Sequence, residues 1–371
     1  MGKLPNPSKA LLASALTLTL CTPGAAAAAL TYRGVDLGVF AGDESSSASD
    51  INDRGDVVGT GARTDSLTQQ ILTRALIWRN GTLTELGTLP APYDYGASAS
   101  NINRSRSVVG TSKVADGTSH AFLWQAGAMT DLGTLGGPSS AAVAINNLDQ
   151  IVGWAETKAS YVLKGRRVYV RHAFVWQQGA MTDLGTLGCG VCPDHEFSSA
   201  VDINDSGEIV GFTSSANEVP ISFRWSRGTM RPLTGLSSGD QVESGGINAR
   251  GEVIGTDDSQ SYTPILWRGD SAPTSLSGVC PGLGPGLAIN NFGAVLSHAP
   301  SPTTGYFAAQ VCYRKTLTVL PPVGPSWADF FAAGMNNRGE VVGSGYLLTP
   351  SNTYQATHAV LWIPKLELSC D

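Results

Sequence analysis

The feature that most constrains this chain is an internal repeat. The stretch 120–153, HAFLWQAGAMTDLGTLGGPSSAAVAINNLDQIVG, recurs in altered form along most of the sequence. Ile-Asn followed by a turn and an apolar run stands at Ile51-Asn52, Ile102-Asn103, Ile145-Asn146, Ile203-Asn204, Ile247-Asn248 and Ile289-Asn290, and as Met335-Asn336. These seven copies lie 42 to 58 residues apart. A second run ends in Trp78, Trp124, Trp176, Trp225, Trp267 and Trp362, with Cys312 in that place in the sixth copy. A fixed period of this size marks a repeat architecture in which each unit buries its apolar surface against the next.

Each unit offers four short β-runs: a (SSAAVAIN), b (QIVGWA), c (HAFLW) and d (AMTDLG). They are of strand length, rich in β-branched and aromatic residues, and bounded by Gly, Asn or Ser. The a–b link is tight. Asn52-Asp53-Arg54-Gly55 and its counterparts read as a type I turn closed by a left-handed residue, with Asn starting the turn and Gly tolerating positive φ. Asp149 and Arg106 fill the Gly place in two copies. The c–d link is also short, while b–c and d–a are long and variable.

Four antiparallel strands per unit and seven units predict a single all-β domain over 30–371, a seven-bladed β-propeller. The ends predict its closure. The seventh unit lacks a run d, and the missing run appears near the N-terminus as Tyr32-Arg33-Gly34-Val35-Asp36-Leu37-Gly38. The N-terminal strand is therefore expected to complete the last blade and remove a free sheet edge.

The first 29 residues stand apart. Lys3 and Lys9 precede the apolar run 10–20, and small residues at 25–29 suit cleavage near Ala28-Ala29. This reads as a secretory signal peptide, so the protein is expected to be secreted or periplasmic, with no membrane-spanning segment after cleavage. At a formal charge of −6 with no basic block, no nucleic-acid partner is expected.

The motifs HAFLW, GAMTDLGTLGG, SSAAVAIN and QIVG are similar to those of the bacterial extracellular HAF-repeat proteins. The resemblance covers nearly the whole mature chain and is strongest at His120-Ala121-Phe122 and His172-Ala173-Phe174. It implies an exported repeat protein and brings no catalytic residues with it.

In a four-stranded meander the short a–b and c–d links share one face and the long links share the other. The long-loop face is therefore the expected binding face. Two long links surround the third blade. One carries Lys158, Tyr161, Lys164, Arg166, Arg167, Tyr169 and Arg171, a basic and aromatic set suited to an anionic polymer, or else a solvated projecting hairpin. The other holds Cys189, Cys192 and His195, read as a local disulfide with zinc as the weaker alternative. Cys280 and Cys312 can pair between neighbouring elements, and Cys370 is left over. Trp327 is either a sugar-stacking residue or a loop anchor. The repeated Asp, Asn and His recur at blade period, which points to structural bonds rather than catalysis. No nucleophile elbow, P-loop or HExxH motif is present, and no cofactor is expected. The sequence thus favours an exported binding scaffold for a cell-envelope or matrix polysaccharide or another exported protein. A hydrolase or lyase acting at the propeller mouth is the alternative.

Overall fold

The a–b turns form as their asparagines dictate. In each, the Asn side-chain oxygen accepts backbone N–H groups within its own turn, as Asn52 does from Arg54 (2.9 Å) and Asp56 (3.0 Å). The fourth turn residue is left-handed: Gly55 at φ 84°, and Arg106 at 72° and Asp149 at 56° where glycine is missing. The chemistry that shapes these seven turns is thus local to each.

The computed structural model describes residues 29–90, 95–188, 196–214, 220–237, 239, 241–258, 262–301, 305–351 and 353–367. Strand β1 spans Ala29–Gly38. Blade I is β2 (Ser45–Ile51), β3 (Val57–Thr64), β4 (Ile71–Arg79) and β5 (Thr82–Glu85), and blade II is β6 (Ala97–Ile102), β7 (Val108–Lys113), β8 (Ser119–Gln125) and β9 (Ala128–Asp131). Blade III follows as β10 (Gly136–Ile145), β11 (Ile151–Leu163), β12 (Arg166–Gln177) and β13 (Ala180–Asp183). Blade IV has β14 (Ser198–Ile203), β15 (Ile209–Thr213), β16 (Ile221–Ser226) and β17 (Thr229–Pro232). Blade V has β18 (Val242–Ile247), β19 (Glu252–Asp257), β20 (Thr263–Arg268) and β21 (Thr274–Ser275). Blade VI has β22 (Gly286–Ile289), β23 (Val295–Pro300), β24 (Phe307–Tyr313) and β25 (Thr316–Val319). Blade VII takes β26 (Trp327–Met335), β27 (Val341–Leu348) and β28 (Tyr354–Glu367), and its fourth strand is β1. All seven sheets are antiparallel meanders, so the chain is a seven-bladed β-propeller.

The seam is closed as the repeat register requires. β1 pairs antiparallel with β28 from Leu30↔Leu366 through Gly34↔Trp362 to Asp36↔Val360. Asp36 then meets His358 at 3.1 Å, as Asp131 meets His120 and Asp183 meets His172, both at 2.8 Å. In blade I the same place holds Arg74 and Glu85 at 2.9 Å. The histidines and aspartates of the repeat therefore lock strand c to strand d in blades II, III and VII.

A second device ties the blades into a ring. Asn52 Nδ2 donates to the Asn103 carbonyl (3.1 Å), Asn103 to Asn146 (3.1 Å) and Asn146 to Asn204 (3.0 Å). Asn204 donates to Asn248 (3.1 Å), Asn248 to Asn290 (3.2 Å), Asn290 to Asn336 (3.2 Å), and Asn336 back to Asn52 (3.0 Å). The belt is complete and buried. One residue type both makes the turn and joins it to the next blade.

The core lies between blades. Val58 and Ile77 of blade I pack on Ala99, Val108 and Phe122 of blade II, and the other interfaces repeat this pattern. Both faces of a blade are covered, so apolar residues occupy adjacent positions in strand c. Burying a side chain such as Phe122 contributes about 2–3 kcal/mol. Each strand a also carries a register shift, as between Ala48 and Asp50. The bulge brings the Ser47 carbonyl so close to Gly59 that a Cβ there would overlap it, which explains the glycine of Val-Val-Gly.

Candidate functional site

Blade III departs from its neighbours in one element. β11 and β12 run for 13 and 12 residues and are closed by Lys164 (φ 48°) and Gly165 (φ 75°). Two left-handed central residues make the turn whose twist matches a hairpin. The link from Trp154 to Arg171 is thus mostly strand, a projecting hairpin on the long-loop face. A register irregularity between Glu156 and Ser160 bends it.

Under this hairpin lies a cleft of about 710 Å³ between blades III and IV. Trp154, Tyr161, Arg167, Tyr169 and Arg171 line it from blade III, and Phe197 and Phe212 from blade IV. The Arg171 guanidinium sits 4.2 Å over the Trp154 ring and 3.5 Å from Glu156. Phe197 meets Phe212 edge-on at 6.2 Å, and Phe212 is 41% exposed. The cleft therefore combines partly exposed aromatic rings, guanidinium donors and the carboxylates of Glu156 and Glu196. Aromatic faces take the apolar side of a sugar ring, and planar guanidinium and carboxylate groups bond its hydroxyls in fixed geometry.

Four residues of the basic set thus line one cleft: Tyr161, Arg167, Tyr169 and Arg171. Lys158, Lys164 and Arg166 are exposed on the same hairpin but outside the lining. Trp327 is elsewhere, half-buried at the start of β26, stacked on Phe330 at 6.1 Å and edge-on to His358 at 5.7 Å, as a loop anchor would be. Cys189, Cys192 and His195 lie outside the described residues, as do Cys370 and the leader. Cys280 and Cys312 form a disulfide across 6.2 Å between Cα atoms, both side chains buried. Among the described residues no cluster of three His, Cys, Asp or Glu could hold a metal ion, and no helix is long and apolar enough to cross a membrane.

Trp154, Phe197 and Phe212 are cleft residues that reading for charge overlooks. A signal exists. After Val-Val-Gly or its equivalent the copies carry Thr60, Thr111, Thr256 and Ser344, but Trp154, Phe212 and His298 in blades III, IV and VI. Adjacent blades III and IV both place an aromatic ring at this column.

The central channel is a smaller concavity, about 340 Å³, lined by the bulged β2, β6, β10, β14, β18, β22 and β26. Asp50 and Asp202 stand on its wall. Asp50 accepts the Ile102 N–H (3.1 Å) and Asp202 the Ile247 N–H (2.8 Å), each from the next blade. Asn101 occupies the same column and accepts the Ile145 N–H (3.1 Å). Desolvation raises Asp50 to about 6 against those hydrogen bonds. Desolvation raises Asp202 to about 7, and the Asp50 charge adds to it. The sequence did not single out Asp202, because a residue following Val201 is ordinary until the bulges turn it toward the axis.

No protein-family model matches the chain, and no curated protein matches it. Solved structures do. The β-propeller domain of the Trilobed protease from Pyrococcus furiosus, described as having an open velcro topology, is 11% identical with a TM-score of 0.53, over 88% of this chain and 98% of that domain. Pyrococcus horikoshii acylaminoacyl peptidase is 10% identical with a TM-score of 0.49, over 86% of this chain and 52% of that one, so the chain spans about half its length. Aleuria aurantia lectin in complex with Fucα1-6GlcNAc is 11% identical with a TM-score of 0.37, over 76% and 97%. The first of these likenesses bears on the fold alone, and the other two carry no argument.

Proposed function

We propose that this protein is an exported polysaccharide-binding propeller whose ligand lies in the cleft under the β11–β12 hairpin. The carrying observation is the convergence of Trp154, Tyr161, Tyr169 and Phe212 with Arg167 and Arg171 in one open cavity. Among the described residues no other blade extends both strands of its b–c hairpin this far, so its length serves no need of the repeat. The face supports the reading too. Leu67, Ile71, Val162, Leu163, Tyr306 and Tyr354 are all exposed at the b–c ends of blades, against Leu148 and Phe292 at the a–b turns. Export fits the Lys3–Ala29 leader, the resemblance to HAF-repeat proteins and the Cys280–Cys312 disulfide. Calorimetric titration with a panel of cell-envelope and matrix oligosaccharides tests this. Trp154→Ala and Tyr169→Ala are expected to weaken binding about tenfold each, about 1.4 kcal/mol, the order of loss expected on truncating an aromatic anchor of a binding site. Binding that survives both substitutions unchanged refutes the site.

A second reading, a polymer-acting hydrolase or lyase in the channel, draws on the raised carboxyls Asp50 and Asp202. Groups that titrate near neutrality suit acid–base work. Against it, each carboxylate already holds a neighbour's backbone N–H, as Asn101 does. Polymer cleavage abolished by Asp50→Asn or Asp202→Asn in a folded protein supports this reading. Absence of cleavage in the wild type removes it.

A further inference from the structure

One interface breaks the repeat in charge. At the centre of each c–d pair, six blades place an aliphatic residue against a small or apolar partner. The pairs are Ile77↔Thr84, Leu123↔Thr130, Val175↔Thr182, Leu266↔Thr274, Val311↔Thr318 and Leu361↔Val35. In blade IV the pair is Arg224↔Arg231. Two like charges directly opposite on neighbouring strands repel. Arg224 is moreover buried, at 8% exposed, where its counterparts are aliphatic core. Burying a guanidinium is unfavourable unless its donors are met.

They are met incompletely. Arg224 Nη1 donates to the Gly269 carbonyl (2.9 Å) and Nη2 to that of Gly251, while its buried Nε has no partner. Glu208 stands 3.5 Å away. Among the described residues Arg231 pairs only with Asp270, at 3.6 Å, with side chains 68% and 83% exposed, a pair that contributes little. Both arginines open on a cleft of about 730 Å³ between blades IV and V, which Arg227 and Arg250 also line. Four guanidiniums thus face two carboxylates, Glu208 and Asp270. Arg250 is held by Glu252 (2.5 Å), whereas Arg227 is exposed on its turn and its guanidinium has no ion pair among the described residues. The cleft lies among a–b and c–d turns, on the face opposite the aromatic cleft.

We infer that this cleft is an oxyanion site that takes carboxylate or sulfate groups of an acidic polymer. An oxyanion placed between Arg224 and Arg231 turns a repulsive pair into a bidentate clamp, the geometry for which guanidinium is suited. The cavity has room for the sugar that bears the anion. The site is independent of the aromatic cleft and does not rest on it.

The test is titration of the whole protein with an oligogalacturonate, a sulfated dextran oligomer and the unsulfated dextran oligomer. At least one anionic oligomer is expected to bind, with Arg231→Thr weakening it tenfold or more and Arg227→Ala weakening it in the same direction. Threonine is the residue that five other blades carry at that place, so Arg231→Thr keeps the fold and is at least as stable as the wild type in low-salt buffer without ligand. Trp154→Ala keeps anion binding. Which anionic oligomer binds tells carboxylate from sulfate. The inference is overturned if neither anionic oligomer binds, if the neutral one binds equally well, or if Arg231→Thr binds as the wild type does. It is also overturned if Trp154→Ala abolishes the anion response, or if Arg231→Thr is less stable without ligand.

Discussion

The paired substitution Asp50→Asn with Asp202→Asn is the perturbation whose size the structure sets most directly. Both carboxyls stand on the channel wall with their pKa raised, Asp50 from 3.8 to about 6 and Asp202 from 3.8 to about 7. A native pKa above the unfolded one means that the folded protein holds the proton more tightly. The stabilisation is therefore complete below pH 3.8 and is lost as pH rises through 6 and 7. At about 1.4 kcal/mol per pH unit, the loss amounts to about 3 kcal/mol for Asp50 and about 4 kcal/mol for Asp202 at most. Both side chains are half-buried and reach channel solvent, which screens them, so roughly half of that total is expected. Asparagine mimics the protonated carboxyl and still accepts the neighbour's N–H, as Asn101 shows in the same column. The assay is urea unfolding at pH 5 and pH 8 of the wild type and the double variant. The variant should gain about 2 kcal/mol on the wild type on passing from pH 5 to pH 8, the half-screened share of the loss that falls between those values (about one pH unit for Asp50 and two for Asp202), because its own stability lacks this loss. His298, whose pKa burial lowers, is common to both proteins and cancels in the difference. Parallel pH profiles for the two proteins refute the reasoning.

Three further outcomes follow from the same contacts. Asn336→Ala removes the belt bond to the Asn52 carbonyl and leaves the Arg338 and Glu340 N–H groups unmet, and should cost about 2–4 kcal/mol in chemical unfolding, where a surface substitution costs under about 0.5. Cys280→Ser with Cys312→Ser releases a closure of 32 residues, and should lower stability by about 3–4 kcal/mol in oxidising buffer and by nothing in strong reductant once the native bond is opened. His172→Ala removes a partner of Asp183, whose burial opposes its charge but whose bonds from His172 and the Gly185 N–H outweigh that and hold its pKa below the ordinary value. The loss should be under about 1 kcal/mol at pH 7 and should vanish as pH falls below about 4, read by thermal unfolding across that range.

What the sequence determined by itself was everything that acts within about fifty residues. Asn-x-x-Gly makes its turn from its own side chain and the freedom of glycine, and the spacing of Trp78 to Trp362 counts the units. The closing strand was legible too, since Tyr32 to Gly38 repeats a run absent from the seventh unit. The repetition of His and Asp gave their structural role away in advance. The tertiary structure alone decided which residues of different blades share a cavity. Trp154 and Phe212 are 58 positions apart and acquire a common purpose only where blades III and IV touch. Asp50 and Asp202 become neighbours in charge only because bulges turn them onto one axis. Arg224 and Arg231 are close in sequence, yet their repulsion is visible only in the cross-strand register. Turns and strand periods are encoded by neighbours along the chain, whereas burial, desolvation and convergence arise from neighbours in space, and a ring closed over seven units brings those together without a trace in local pattern.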